Sequence, residues 1–195
     1  MKIHLSGICG TAMAALAGML QQMGHEVRGS DANPYPPMST LLEKLGIPVI
    51  AGYRSINITE ELGLVVIGNV MRLIEPVSVQ ARRIGLLMTS LPAAIGEMFL
   101  KSRTPLVVTG THGKTTVTSM AAWILIDSGL DPSYLVGGVP ANTGSNHRTG
   151  SGEHFVIEGD EYDSAYFDKG PKFLHYAPQH AVLTSVEFDH SDIYD

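Results

Sequence analysis

Cysteine is nearly absent: Cys9 stands alone in 195 residues, so no disulfide can form within the chain and a reducing compartment, the cytoplasm, is expected. Tryptophan also occurs once, and charged residues make up only 16% against 44% hydrophobic. Basic residues are the scarcer sign, 13 against 19 acidic, for a net charge of −6. A nucleic-acid footprint over the surface is therefore excluded. No apolar run reaches the roughly 18 residues of a spanning helix, so no membrane partner is expected. No solenoid-length repeat occurs.

The N-terminus has the outline of a secretion leader, with Lys2, the apolar run from Ala12 to Leu20 and small residues at Ala15 and Ala17. His4, Ser6, Gly7, Gly10 and Thr11 break the greasy stretch, and a strand–turn–helix unit accounts for each of them. What is present is an alternation of short apolar strands and helices. Strands are expected at Lys2–Ser6, Glu26–Ser30, Pro48–Ala51, Leu64–Gly68 and Leu86–Thr89. Helices fall between them, stopped by Gly24 and Gly46. After a boundary near Ser102–Thr104 a second cycle begins, with a strand at Leu106–Thr109 and a helix at Lys114–Asp127 whose inner face is Val117, Met120 or Ala121, and Ile124. Phe155–Ile157 and Ala181–Ser185 are further strands. The reading is α/β: a Rossmann-like parallel-sheet domain over 1–101, then part of a phosphate-loop domain over 102–195.

Both cycles open with a glycine turn between strand and helix. In the second, "GTHGKTT" puts Gly110, Thr111, His112, Gly113, Lys114, Thr115 and Thr116 at a helix N-terminus, where backbone N–H groups point at an anion. Glycine lets the backbone approach, Lys114 brings a charge to the outer phosphates, and Thr115 offers a hydroxyl to Mg²⁺. The usual phosphate-loop pattern wants glycine where Val108 stands, and the plain alternative is an ordinary turn with a stray lysine. His112 is either a nucleotide contact or a surface group.

Ten of the 19 acidic residues lie between Ser151 and Asp195, where Lys169 and Lys172 are the only basic side chains. "FVIEGDEYD" and "AVLTSVEFDHSD" each run apolar and then end in carboxylates. Ligands of open parallel sheets bind beyond the carboxyl ends of the strands. Thr115, Glu158 and His190 are thereby brought towards one place, a cation site beside phosphates, unless the acids merely form a solvated face. In the first cycle, Gly7, Gly10 and Thr11, with Asp31 at the end of the second strand, suggest a nucleotide-diphosphate site. Cys9 and Ala12 replace two of the three fingerprint glycines, which disfavours a nicotinamide cofactor and leaves an oxidoreductase as the rival from another class. A non-catalytic nucleotide-sugar-binding module is a further alternative. Cys9 reads as packing.

"GICGTAM", "GSD", "TGTHGKTT", "GGVPANTG", "EGDEYD" and "EFDHSDIY", in this order, resemble the Mur ligase family of peptidoglycan synthesis and recycling. That family uses a shortened phosphate loop in which Val108 is no defect. The resemblance implies ATP and Mg²⁺ as cofactors and UDP-N-acetylmuramate as partner. By position, Gly7, Gly10, Thr11 and Asp31 would hold uridine diphosphate, and Asn142 would face the muramyl group. Gly113, Lys114, Thr115 and Thr116 would hold ATP. Lys114, Glu158 and His190 would be catalytic, with Thr115, Glu158 and His190 around Mg²⁺ and the reacting carboxylate. "SDANPYPPMS", "GGVPAN" and "EFDHSDIY" look most like the members that join this sugar nucleotide to the tripeptide L-alanyl-γ-D-glutamyl-meso-diaminopimelate. The L-alanine-adding members are the alternative. Ser185 stands where the family pattern has Asn. The resemblance further implies a longer protein, with the rest of the ATPase domain and a C-terminal domain for the peptide, so that this chain is expected to be a fragment that does not complete ligation alone.

Overall fold

The computed structural model describes residues 1–187. The chain forms two compact units. The first comprises Met1–Ala94 and a later return, Ser164–Lys169; the second comprises Ile95–Asp163 and the chain from Gly170 onward.

In the first unit, β1 (Lys2–Ser6), α1 (Thr11–Gln22), β2 (Glu26–Asp31), α2 (Met38–Lys44), β3 (Val49–Ala51), β4 (Leu64–Ile67), α3 (Pro76–Arg83) and β5 (Met88–Ser90) alternate. The sheet order is β3-β2-β1-β4-β5, parallel throughout. β1 and β4 read as near-continuous apolar runs because strands inside a parallel sheet are covered on both faces. Ile3, Leu5, Val65, Val66 and Ile67 are fully buried accordingly. α1 brings Ala14, Ala15, Leu16, Ala17, Met19 and Leu20 to complete burial, its small residues letting the helix lie close to the sheet. The chain leaves β1, at the centre of this order, through the turn at Gly7.

The second unit begins at the end of α4 (Leu91–Ile95), which runs on into a π-helical turn over Gly96–Leu100. There follow β6 (Thr104–Thr109), α5 (Lys114–Asp127), β7 (Ser133–Leu135), β8 (His147–Arg148) and β9 (His154–Glu158). β10 (Asp163–Ala165) and β11 (Asp168–Pro171) form a separate two-stranded sheet. Its tip belongs to the first unit, where Ala165 joins the cluster of Ile58, Leu62, Val65, Ile67, Met71, Val77 and Ala81. β12 (His180–Leu183) completes a sheet of order β12-β6-β9-β7-β8. β12, β6, β9 and β7 are parallel, and β8 is antiparallel to β7.

α5 has the expected bounds and a different inner face. Thr118 and Ala122 are buried, with Ala121, Leu125 and Ile126 packed nearby, whereas Met120 and Ile124 are 59% and 58% exposed. Small side chains at 118 and 122 let the helix settle onto β6 and β9, which turns the larger residues outward. Among the described residues, no helix is long and apolar enough to cross a membrane.

Candidate functional site

Three adjacent parallel strands, β12, β6 and β9, deliver their carboxyl ends to one edge of the second sheet. The segments that follow them are Thr184–Glu187, the glycine loop Gly110–Gly113 and the acidic run Glu158–Glu161. Register fixes their level: Leu183 pairs with Thr109, and Val108 with Glu158.

The loop is held from the β12 side. The amide of Thr111 donates to the Ser185 carbonyl (3.0 Å) and that of His112 to Ser185 Oγ (3.0 Å). Thr184 Oγ1 donates to the His112 carbonyl (2.6 Å), and the amide of Glu187 to Thr111 Oγ1 (3.0 Å). Ser185, the departure from the family pattern, is therefore a support of the loop. Gly110 has φ +124°, and a side chain there would meet Thr184 Oγ1 and lie 2.7 Å from the Ser185 carbonyl oxygen. Only glycine fits. With the amides of Thr111 and His112 engaged, the donors aimed outward are those of the first turn of α5, from Lys114 to Thr116, which have no acceptor within the helix. Gly113 precedes them at φ +81°.

The acidic run sorts by partner. Glu158 Oε1 accepts the Gly137 amide (2.6 Å) and Oε2 the Thr115 hydroxyl (3.1 Å). A Cβ on Gly137 would lie 3.0 Å from Glu158 Oε2, so that glycine is what lets the carboxylate close on the backbone. Burial raises the Glu158 pKa, and the bonds from Gly137 and Thr115 pull it back only in part. Asp160 takes Lys172 Nζ (2.8 Å), and Asp163 accepts the Gly170 amide (3.1 Å). Glu161 pairs with Lys114 Nζ (3.0 Å). Within this run, lysines thus neutralise Asp160 and Glu161, and Glu158 is the carboxylate that meets the Thr115 hydroxyl. Asp189 and Asp192 of the second acidic run lie outside the described residues.

Thr115 and Glu158 offer hard oxygen donors of the kind Mg²⁺ takes. Among the described residues no three His, Cys, Asp or Glu side chains gather into a metal cage. His190 lies outside the described residues. His112 is exposed, its Nε2 3.6 Å from Glu187 Oε2. Thr116 is exposed on the first turn of α5, and Asn142 is exposed in the turn between β7 and β8.

In the first unit, Gly7 (φ +80°) starts the turn and Gly10 caps α1, so that Thr11 opens the helix. Asp31, expected to hold uridine diphosphate, accepts two backbone amides: Oδ2 takes the Cys9 amide (2.9 Å) and Oδ1 the Asn33 amide (3.2 Å). It braces the glycine turn from the neighbouring strand. Cys9 is buried, and burial, then the Asp31 charge, pushes its thiol pKa up, as suits packing rather than nucleophilic attack. Tyr53 was not anticipated: its hydroxyl would lie 3.8 Å from a Cβ on Gly7, and burial raises its pKa. A tyrosine after a lone glycine carries no motif by which sequence could single it out. The supporting roles of Thr184, Ser185 and Gly137 were equally hidden, since each depends on strand adjacency.

Comparison with known proteins finds matches to both halves of the chain. The model described as "Mur ligase family, catalytic domain" matches residues 2–103, and "Mur ligase middle domain" matches residues 108–195. The UDP-N-acetylmuramate–L-alanyl-gamma-D-glutamyl-meso-2,6-diaminoheptandioate ligase of Escherichia coli (strain K12) is 48% identical over all of this chain, which spans 43% of that relative's length. The UDP-N-acetylmuramate–L-alanine ligase of Blochmanniella floridana is 34% identical, with 99% of this chain and 38% of the relative covered. Among solved structures, the UDP-N-acetylmuramate:L-alanyl-gamma-D-glutamyl-meso-diaminopimelate ligase from Neisseria meningitides superposes with a TM-score of 0.93 at 45% identity, over 100% of this chain and 63% of that one.

Proposed function

The chain belongs to the Mur ligase family, and from that premise we propose that it supplies the nucleotide-sugar-binding and ATP-binding portions of a ligase. The reaction joins UDP-N-acetylmuramate to L-alanyl-γ-D-glutamyl-meso-diaminopimelate with consumption of ATP. Identity of 48% to a tripeptide ligase against 34% to an L-alanine ligase supports the tripeptide as acceptor. The observation that carries the reading is the Glu158 carboxylate on the Thr115 hydroxyl, at the mouth of the glycine loop.

The lactyl carboxylate of the muramyl sugar attacks the γ-phosphorus of ATP, giving an acyl phosphate and ADP. The amine of the tripeptide then attacks the acyl carbon, phosphate leaves, and the amine loses a proton as the amide forms. Two anions must meet in the first step: unit charges at ~4 Å and an effective dielectric of ~20 cost about 4 kcal/mol. Uncompensated, that is about a thousandfold in rate. Lys114 offsets part of it, and the amides at the start of α5 orient the phosphates. Thr115 and Glu158, with His190, would hold Mg²⁺, which supplies further charge neutralisation when bound. In this reading uridine diphosphate is held at Gly7, Gly10, Thr11 and Asp31, and Asn142 would contact the muramyl group. The place of the reaction is the cytoplasm, where ATP is available and a buried thiol at Cys9 stays reduced.

The test is an ATP-dependent ligation assay on the full-length protein, with the tripeptide and free L-alanine as competing acceptors. Tripeptide product is expected; product from L-alanine alone reassigns the acceptor, and no ATP-dependent product from either contradicts the reading.

A further inference from the structure

We propose that Glu161 is a latch on Lys114: its carboxylate occupies the loop lysine until nucleotide phosphates take its place. This rests on the reading of Gly110–Thr116 as the ATP site and adds a control of that site. Lys114 Nζ lies 3.0 and 3.3 Å from the two Glu161 oxygens and 2.7 Å from the Gly110 carbonyl oxygen. The Thr111 carbonyl oxygen lies farther off at 3.5 Å, so the three N–H donors of the ammonium are fully engaged. The side chains are only 14% and 17% exposed, so the pair is not one that solvent screens to insignificance.

The neighbouring acids are committed elsewhere. Asp160 accepts from Lys172 at 2.8 Å, and both oxygens of Glu158 accept from Gly137 and Thr115. Glu161 is therefore the acid of this strand end that holds the loop lysine. A phosphate entering the loop must exchange with the carboxylate on Lys114, and the two anions repel while both are near. Glu161 thus keeps Lys114 paired when the loop is empty and weakens the hold on any nucleotide whose outer phosphates need that lysine. It is a positioning residue acting through Lys114.

The experiment is calorimetric titration of the chain with Mg²⁺-free ATP, ADP and AMP in EDTA, for the wild type, Glu161→Gln, Glu161→Asp and Lys114→Ala. Glu161→Gln should bind ATP and ADP about tenfold more tightly than the wild type. AMP, which lacks the phosphates a loop lysine reaches, should bind unchanged; a general structural effect would move all three. Glu161→Asp retains the charge on a shorter arm and should show a smaller gain of the same sign, which keeps the test open if the Gln variant does not fold. Wild-type ATP binding that depends on Lys114, with both Glu161 variants no tighter than the wild type, overturns the latch alone. ATP binding that is absent, or the same in Lys114→Ala as in the wild type, overturns the ATP-site reading and the latch with it.

Discussion

The carboxylate of Glu158 and the hydroxyl of Thr115 are 3.1 Å apart although 43 residues separate them in the chain. β6 and β9 run parallel as neighbours, so the segment leaving each strand emerges at the same edge. Glu158→Gln keeps the shape of the group and removes its charge. Nucleotide affinity measured with Mg²⁺ should then fall about tenfold or more, by the scale of altered metal-site partners, while affinity in EDTA stays level. Titration with and without the ion checks this.

Gly110 carries the loop's steric demand. At φ +124°, with the Ser185 carbonyl oxygen 2.7 Å from a built Cβ, Gly110→Ala should destabilise the second unit by about 2–5 kcal/mol, from backbone strain together with overpacking. Gly129 also has positive φ (+75°) but nothing within 4 Å of its Cβ position, so Gly129→Ala should cost only about 1–2 kcal/mol. Urea unfolding followed by the fluorescence of Trp123, the single tryptophan, reads both variants.

Much of this was open to reading from sequence because local chemistry and fold agree. The alternation of apolar strands and helices stopped by glycine foretold β1, α1, β2, β4 and β6, and α5 has the bounds that its starting lysine and terminal Gly129 imply. What stayed hidden depends on which strands lie side by side. Nothing in "TSVE" indicates that Ser185 would take the His112 amide, because β12 lies beside β6 only in the folded sheet. The same holds within the acidic run: nothing in its composition shows that Lys172 folds onto Asp160 and Lys114 onto Glu161, while Glu158 takes the Thr115 hydroxyl. The inner face of α5 was misjudged because hydrophobicity ranks Met120 and Ile124 above Thr118 and Ala122, while close approach to the sheet favours the small pair.

Asp31 ties β2 to the glycine turn by accepting the Cys9 amide at 2.9 Å. Asp31→Ala should leave that amide unmatched, lower the stability of the first unit by about 1–3 kcal/mol and weaken binding of UDP-N-acetylmuramate. Hydrogen exchange of the Cys9 amide, measured beside the affinity, checks that the two losses go together.

His4 makes the first unit sensitive to acid. It is fully buried on β1 with Nε2 3.0 Å from Ser30 Oγ, and burial, then the Arg28 charge, lowers its pKa to about 4 from the usual 6.5. Between those values the unfolded chain binds a proton that the folded unit refuses. This contribution to stability is therefore complete above pH 6.5, declines as pH falls and levels off below about 4, a total of roughly 3 kcal/mol. Exchange protection of β1 amides should decline over that window in the wild type, and His4→Leu should flatten the decline.

Lys114→Ala in this chain, titrated by calorimetry with a non-hydrolysable ATP analogue plus Mg²⁺ and separately with UDP-N-acetylmuramate, bears on the whole assignment. Loss of the ATP analogue with the sugar nucleotide bound as in the wild type is the expected result. Unchanged binding of the analogue would contradict it.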